Sequence, residues 1–113
     1  MSKQPNFLVF MTDQLAGTLF TDGPAGFMHA PNLKRLFAEG VNFSACYCAS
    51  PLCVPARAGF MSGKLPSRIG VYDNAAEFPA SVPTVAHGLR RAGYDTVLAG
   101  KMHFIGPDQL HGF

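Results

Sequence analysis

The sequence predicts an α/β fold in which helices flank a largely parallel sheet. Two observations lead to this prediction. Short, continuous apolar runs, typical of strands buried on both faces, lie between segments with helical periodicity. Proline and glycine fall at the ends of these segments and not in low-complexity runs. With 48% hydrophobic residues in a chain of 113, one modest core can be buried.

The first half of the chain contributes strand, helix and strand. The apolar run 6–11 follows a proline and predicts the first strand. A helix over Pro31–Glu39 follows, because Pro31 is suited to open a helix and Gly40 to close it. The run 41–46 predicts the second strand.

The second half contributes helix, helix and strand. A helix is predicted to begin at or just after Cys53, to continue to Met61 and to end at Gly63. Another is predicted from Ser81 or Pro83 to Arg91, stopped by Gly93. Residues 94–99 then form another buried strand.

Composition and charge argue against several functions. The formal net charge is +2 and no basic stripe occurs, which argues against nucleic-acid binding. The apolar stretch 7–11 is too short for a signal-peptide core or a membrane span, so no membrane partner is expected. The three cysteines are an odd number at spacings unlike a disulfide framework. We therefore expect a cytoplasmic protein.

Polar residues directly follow two of the predicted strands. Asp13 comes after the first strand, and Lys101 and His103 come after the last. Ligands of open α/β sheets bind beyond the carboxyl ends of the strands. These positions therefore predict a functional site that contains all three residues.

The pattern Cys53-x-Pro55-x-Arg57 is the most specific in the chain. Three fixed residue types in five positions arise by chance in roughly one chain of this length in several hundred. On a helical turn Arg57 returns to the face of Cys53, because residues four apart are neighbours. A buried cysteine before a turn proline, with Arg57 as a surface cation, remains open as the alternative.

Together with its neighbours, this pattern resembles the signature of the sulfatase family. Residues 53–63 read Cys-Val-Pro-Ala-Arg-Ala-Gly-Phe-Met-Ser-Gly, and Asp13 and Gly100-Lys101-Met102-His103 match two further sulfatase elements in the expected order. The resemblance covers essentially the whole chain and implies an alkaline-phosphatase-like sulfatase fold. Within the family, choline-sulfatases look most similar, through residues 12–17, 50–53, 71–78, 100–104 and 106–113.

The resemblance implies that Cys53 is the precursor of the nucleophile. In sulfatases, a formylglycine-generating or sulfatase-maturing enzyme oxidises this cysteine to formylglycine, whose hydrate attacks the ester sulfur and then expels sulfate. Arg57, Lys101 and His103 are implied as catalytic cations that offset developing charge. Lys101 and His103, which an extended segment would aim the same way, also bind substrate. Asn74 is implied beside the sulfate, with a turn asparagine as the alternative.

The resemblance also implies a divalent metal ion bound by Asp13, Gln14 and the group derived from Cys53. Oxygen ligands favour Ca²⁺, or Mg²⁺ or Mn²⁺, over zinc. Many sulfatases have a second aspartate where this chain has Gln14, and choline-sulfatases share the Asp-Gln pair. A helix cap or turn residue is the alternative for Asp13.

The activity implied by the resemblance is hydrolysis of choline O-sulfate to choline and sulfate. The alternatives are an arylsulfatase, a phosphonate or phosphate ester hydrolase of the same superfamily, or a non-catalytic truncated remnant. We expect residues 1–113 to be a fragment, the N-terminal part of a catalytic domain, and to be inactive alone, because the family's second metal-ligand cluster is absent. The complete protein is expected to be a homo-oligomer.

Overall fold

Four α-helices and one short 3₁₀ turn make up the regular structure of residues 4–113, which a computed structural model describes. The chain divides into two units, Met1–Cys46 and Tyr47–Phe113. None of the helices in the described range has the length and apolar content that a membrane crossing requires.

The first unit contains the 3₁₀ turn Gly17–Phe20 and helix α1, Pro31–Glu39. Pro31 opens α1, where its missing N–H costs no hydrogen bond. At the other end the N–H of Gly40 donates to the carbonyl of Leu36, and a Cβ atom at position 40 would lie only 2.8 Å from that oxygen. The predicted bounds of α1 are confirmed.

The second unit contains α2 (Cys53–Ser62), α3 (Pro66–Ile69) and α4 (Val85–Arg91). The prediction for α2 is confirmed to within one residue, and Gly63 ends the helix with a left-handed φ of 68°. Helix α3 was not predicted, because a single turn is too short to show a periodic pattern.

Helix α4 begins later than the sequence predicts. Its first residue is Val85, not Ser81 or Pro83, because Thr84 caps the helix. The Thr84 side chain accepts from the backbone N–H of His87, and the His87 ring accepts from the backbone N–H of Thr84. This reciprocal capping box fixes the start of the helix.

The predicted strands 6–11, 41–46 and 94–99 are not formed. Within residues 4–113 the only β pairing is an isolated bridge between Thr21 and Gly23. A strand exists only where a neighbour supplies hydrogen bonds to its backbone. These three segments take part in no β pairing among the described residues, and many of their apolar side chains are exposed, among them Leu8 at 91% and Val97 at 84%. The expected parallel sheet is therefore absent from the described residues.

Buried side chains occur in the second unit alone among residues 4–113. The core is built from α2, the start of α4 and the loops that cover them, and Phe78 is fully buried at its centre. The Phe78 ring contacts Phe104 at a centroid distance of 5.8 Å. The hydrophobic core comprises Val54, Ala58, Met61, Ile69, Val71, Phe78, Val82, Ala86 and Phe104.

Candidate active site

Cys53 is the first residue of α2, and it is a free thiol at a half-buried position. The two residues that follow, Val54 and Pro55, are almost fully buried and anchor the first turn in the core. Pro55 lies within that turn, where its missing N–H has no intrahelical partner to lose. The motif thus places residue 53 at the N-terminus of a helix whose first turn is packed in the core.

Asn74 caps this helix from a distant loop. The N-cap residue Leu52 provides no side-chain hydrogen bond. Instead the Oδ1 atom of Asn74 accepts from the backbone N–H of Val54 at 3.0 Å. Asn74, which the sequence predicted as a substrate-binding residue, therefore lies beside Cys53.

Arg57 binds the loop that carries the other predicted cations. Its side chain is 8% exposed, and Nη1 donates to the backbone carbonyl of Lys101 at 2.7 Å. Burial of a guanidinium group is costly unless its N–H groups are hydrogen-bonded. Arg57 is consequently a buried residue that joins α2 to the loop of Lys101 by a hydrogen bond. The alternative of a surface cation is wrong.

The loop over residues 101–104 is fixed at both ends. Arg57 binds the carbonyl of Lys101, and Phe104 packs in the core. His103 between them has a left-handed φ of 57°, and its buried Nδ1 atom has no hydrogen-bond partner. The expected alternation of an extended segment is therefore wrong at His103. A non-glycine residue at positive φ is uncommon and is enriched at functional sites.

His111 is a buried residue outside the predicted set of site residues. Its ring is fully buried, stacked on Phe78 at 4.1 Å and edge-on to Phe104 at 4.7 Å. Burial lowers the pKa of His111, and the nearby Asp108 carboxylate opposes this only in part. Its stacking partner Phe78 lies far away in sequence, so no local pattern could have revealed the stack.

The loop containing His111 is held against α4. The Thr84 hydroxyl donates to the carbonyl of His111 at 2.6 Å, and the Thr96 hydroxyl donates to the carbonyl of Gly112 at 2.7 Å. The backbone N–H groups of His111 and Leu110 donate to Asp108, which lowers the pKa of that carboxyl group. These contacts order the last residues of the second unit.

The predicted metal ligands Asp13 and Gln14 lie in the first unit, on an exposed bend after the first apolar run. Gln14 has a positive φ of 55°, one of only three non-glycine residues in the described range to do so. Within residues 4–113 no three His, Cys, Asp or Glu side chains gather as a metal site. The oxygen atoms of Asp13 and Gln14 suit a hard cation, but they do not form a complete site.

An open cavity of about 550 Å³ lies elsewhere on the second unit. Its walls include none of the predicted site residues, so we do not assign it to the chemistry of Cys53. The lining residues are Ala80, Ser81, Pro83, His87, Arg90 and Arg91.

Comparison with known proteins gives a consistent family assignment. Residues 5–109 match the Sulfatase family. Over 110 residues the chain is 66% identical to the choline-sulfatase of Rhizobium meliloti (strain 1021), covering 97% of this chain and 22% of that protein.

More distant similarities point to the same family. The chain is 33% identical to an N-acetylglucosamine-6-O-sulfatase of Bacteroides thetaiotaomicron, covering 96% of this chain and 19% of that protein. It is 38% identical to the steryl-sulfatase of Mus musculus, covering 89% of this chain and 18% of that protein. The chain thus spans about a fifth of the length of these curated relatives.

Proposed function

Because the chain belongs to the sulfatase family, we propose that it forms part of the catalytic domain of a choline-sulfatase, which hydrolyses choline O-sulfate to choline and sulfate. The family implies an alkaline-phosphatase-like fold, and we propose that the apolar runs 6–11, 41–46 and 94–99 enter its parallel sheet. The 66% identity to a choline-sulfatase favours this substrate over an aryl ester, phosphonate or phosphate.

The observation that supports a catalytic role best is the arrangement around the head of α2. Asn74 binds the N–H of the residue after Cys53, and Arg57 binds the carbonyl of Lys101. Two loops that carry proposed site residues are therefore tied directly to the helix that presents Cys53. A buried cysteine in a purely structural turn requires neither of these two hydrogen bonds.

We propose that Cys53 is converted to formylglycine by a sulfatase-maturing enzyme. The hydrate of that group supplies the oxygen nucleophile that displaces the alcohol from sulfur. Lys101 and His103 are proposed to bind sulfate oxygens, where positive charge offsets the charge that develops during transfer. Arg57 contributes its positive charge from a buried position on α2 and orients the loop through the carbonyl of Lys101.

Asp13 and Gln14 are proposed as two ligands of a divalent cation, Ca²⁺ or else Mg²⁺ or Mn²⁺. A carboxylate and an amide oxygen are ligands that hard cations prefer, and the cation would lower the pKa of an attacking hydroxyl group. The ligand set is incomplete within residues 4–113. We also propose a homo-oligomer and, from the three free cysteines, a cytoplasmic location.

The decisive experiment combines mass spectrometry with a substrate comparison. Active protein that contains this chain should show a loss of about 18 Da at Cys53, as replacement of the thiol by a carbonyl group requires. The same preparation should hydrolyse choline O-sulfate in preference to 4-nitrophenyl sulfate, an aryl sulfate ester, and 4-nitrophenyl phenylphosphonate, a phosphonate ester. Unmodified Cys53 in fully active protein would refute the nucleophile, and preference for an aryl ester or phosphonate would refute the substrate.

A further inference from the structure

The first turn of α2 depends on one hydrogen bond from outside the helix. The first backbone N–H groups of any helix have no intrahelical partner, and Leu52 supplies none to α2. Asn74, twenty residues further along the chain, accepts from the N–H of Val54 at 3.0 Å. This N–H belongs to the residue directly after Cys53.

The hydrogen bond also fixes which way the Asn74 amide points. The N–H of Val54 requires an acceptor, so Oδ1 must face the helix and the NH₂ group must face away from it. Within residues 4–113 the Nδ2 atom makes no hydrogen bond, whereas the neighbouring Asp73 binds the N–H of Ala75 inside its own loop. The Asn74 side chain is thus directed to the helix and not to its own turn.

We propose that Asn74 is a positioning residue, which holds the first turn of α2 through Oδ1 and thereby fixes the position of residue 53. This role rests on the proposed function for its catalytic consequence. The loop around Asn74 and the head of α2 then move together, so the nucleophile keeps its place relative to the loop. An asparagine that bonded only within its own turn would leave the N-terminus of α2 free to fray.

Asn74→Ala tests this role in the active protein that contains this chain. Loss of an asparagine cap destabilises a helix end enough to speed amide exchange about fivefold, so we expect that acceleration at Val54. We expect kcat to fall about tenfold and KM to change by less than about twofold, because a displaced nucleophile weakens the chemical step and not the binding of the ester.

Asn74→Asp provides the rescue, because aspartate caps helices about as well as asparagine. Exchange at Val54 should then stay within about twofold of wild type, and kcat should recover. KM for the anionic ester should rise instead, owing to like-charge repulsion. Tyr72→Phe is the matched control in the same loop: it removes the exposed bond to the carbonyl of Ser67 and should change neither readout.

Two outcomes would overturn the positioning role. Unchanged exchange at Val54 in Asn74→Ala would show that the cap does not hold the turn. Faster exchange with unchanged kcat would mean that Asn74 only caps the helix. A rise in KM alone would mean that Asn74 contacts the substrate and does not position residue 53. If the wild-type protein hydrolyses no sulfate ester while Asn74→Ala still speeds exchange, the proposed function fails and the capping of residue 53 stands.

Discussion

The two units of the chain differ in whether they bury a set of apolar side chains. In the second unit a core of apolar side chains is buried around Phe78, although others such as Val97 are exposed, and the loops beside Cys53 are joined to α2 by hydrogen bonds. In the first unit no described residue is buried, and Phe10 in the first apolar run is 85% exposed. Both units contain a helix at the place the sequence predicts. Local signals are therefore sufficient for a helix but not for a core.

This difference separates the proposed site into two parts. The nucleophile and the cations lie on a unit with its own packed interior, so their positions are determined within that unit. Asp13 and Gln14 lie on an exposed bend of a unit that buries nothing. We infer that packing within the second unit holds the proposed anion-binding residues, whereas no buried core supports Asp13 and Gln14 among the described residues of the first unit.

The largest expected effect is complete loss of activity in the 113-residue chain alone. Exposed apolar side chains on the run 6–11 provide surface for association, and the metal site is incomplete. We expect no measurable hydrolysis of choline O-sulfate with Ca²⁺, together with aggregation detectable by light scattering. A monomeric chain of 113 residues that turns over substrate would contradict this and would require metal ligands that we have not identified.

Phe78→Ala should destabilise the second unit by about 3–5 kcal/mol, the usual cost of removing a buried phenylalanine ring. The change removes both the contact with Phe104 and the stack with His111. Phe10→Ala is the matched control in the first unit, where Phe10 is 85% exposed, and its effect in the 113-residue chain should stay within about 0.5 kcal/mol. Urea unfolding measures both values. Equal losses would mean that the two units do not differ in packing.

Arg57→Met should cost about 2 kcal/mol, because the carbonyl of Lys101 loses a charged donor in a partly buried place. Activity should fall as well, since the loop that carries Lys101 and His103 loses its tie to α2. Arg68→Met removes an exposed arginine from the same unit and should leave the free energy of unfolding unchanged. Similar losses from the two variants in urea unfolding would contradict the buried tie.

Asp13→Asn should weaken metal binding. A neutral oxygen replaces a charged ligand, and we expect affinity for Ca²⁺ to fall by at least about tenfold, the loss typical of altered metal sites. Calcium titration of the active protein measures this effect. Unchanged affinity would make Asp13 a turn or capping residue.

The smallest expected effect is a pH dependence of stability from His111. Its pKa is lowered from 6.5 by burial, so the unfolded chain binds the proton more readily than the folded one. Stability is therefore complete above about pH 6.5 and declines as the pH falls through the folded pKa. Asp108, whose pKa is lowered from 3.8, adds a separate loss only at more acidic pH.

His111→Phe should reduce the decline in stability below about pH 6.5 and leave the separate loss from Asp108 at more acidic pH. The substitution preserves an aromatic ring against Phe78 and Phe104. His87 also lies in this region and keeps its capping role in the variant. His29→Gln alters an exposed histidine of the first unit and should leave the pH profile of unfolding as it is. A decline that persists in His111→Phe would assign the titration to another group.

The helix boundaries show which features of the fold can be predicted from local sequence. Pro31 and Gly40 bound α1 as predicted, and Gly63 ends α2, because these residues act on the backbone through their own geometry. The start of α4 was misplaced because the capping box of Thr84 and His87 was not recognised among neighbouring serine and proline signals. The predicted strands are not formed within residues 4–113, because a strand needs a partner that no local pattern supplies.

The sequence by itself determined the family, through Cys53-x-Pro55-x-Arg57 and its neighbouring segments, and the identity of the residues proposed to act. Only the tertiary structure decided that Asn74 caps α2, that Arg57 is buried against the carbonyl of Lys101, and that His111 is stacked in the core. The reason is physical: each of these contacts joins residues far apart in the chain, and burial and hydrogen bonding between such residues depend on the packing of the whole unit, not on any local pattern.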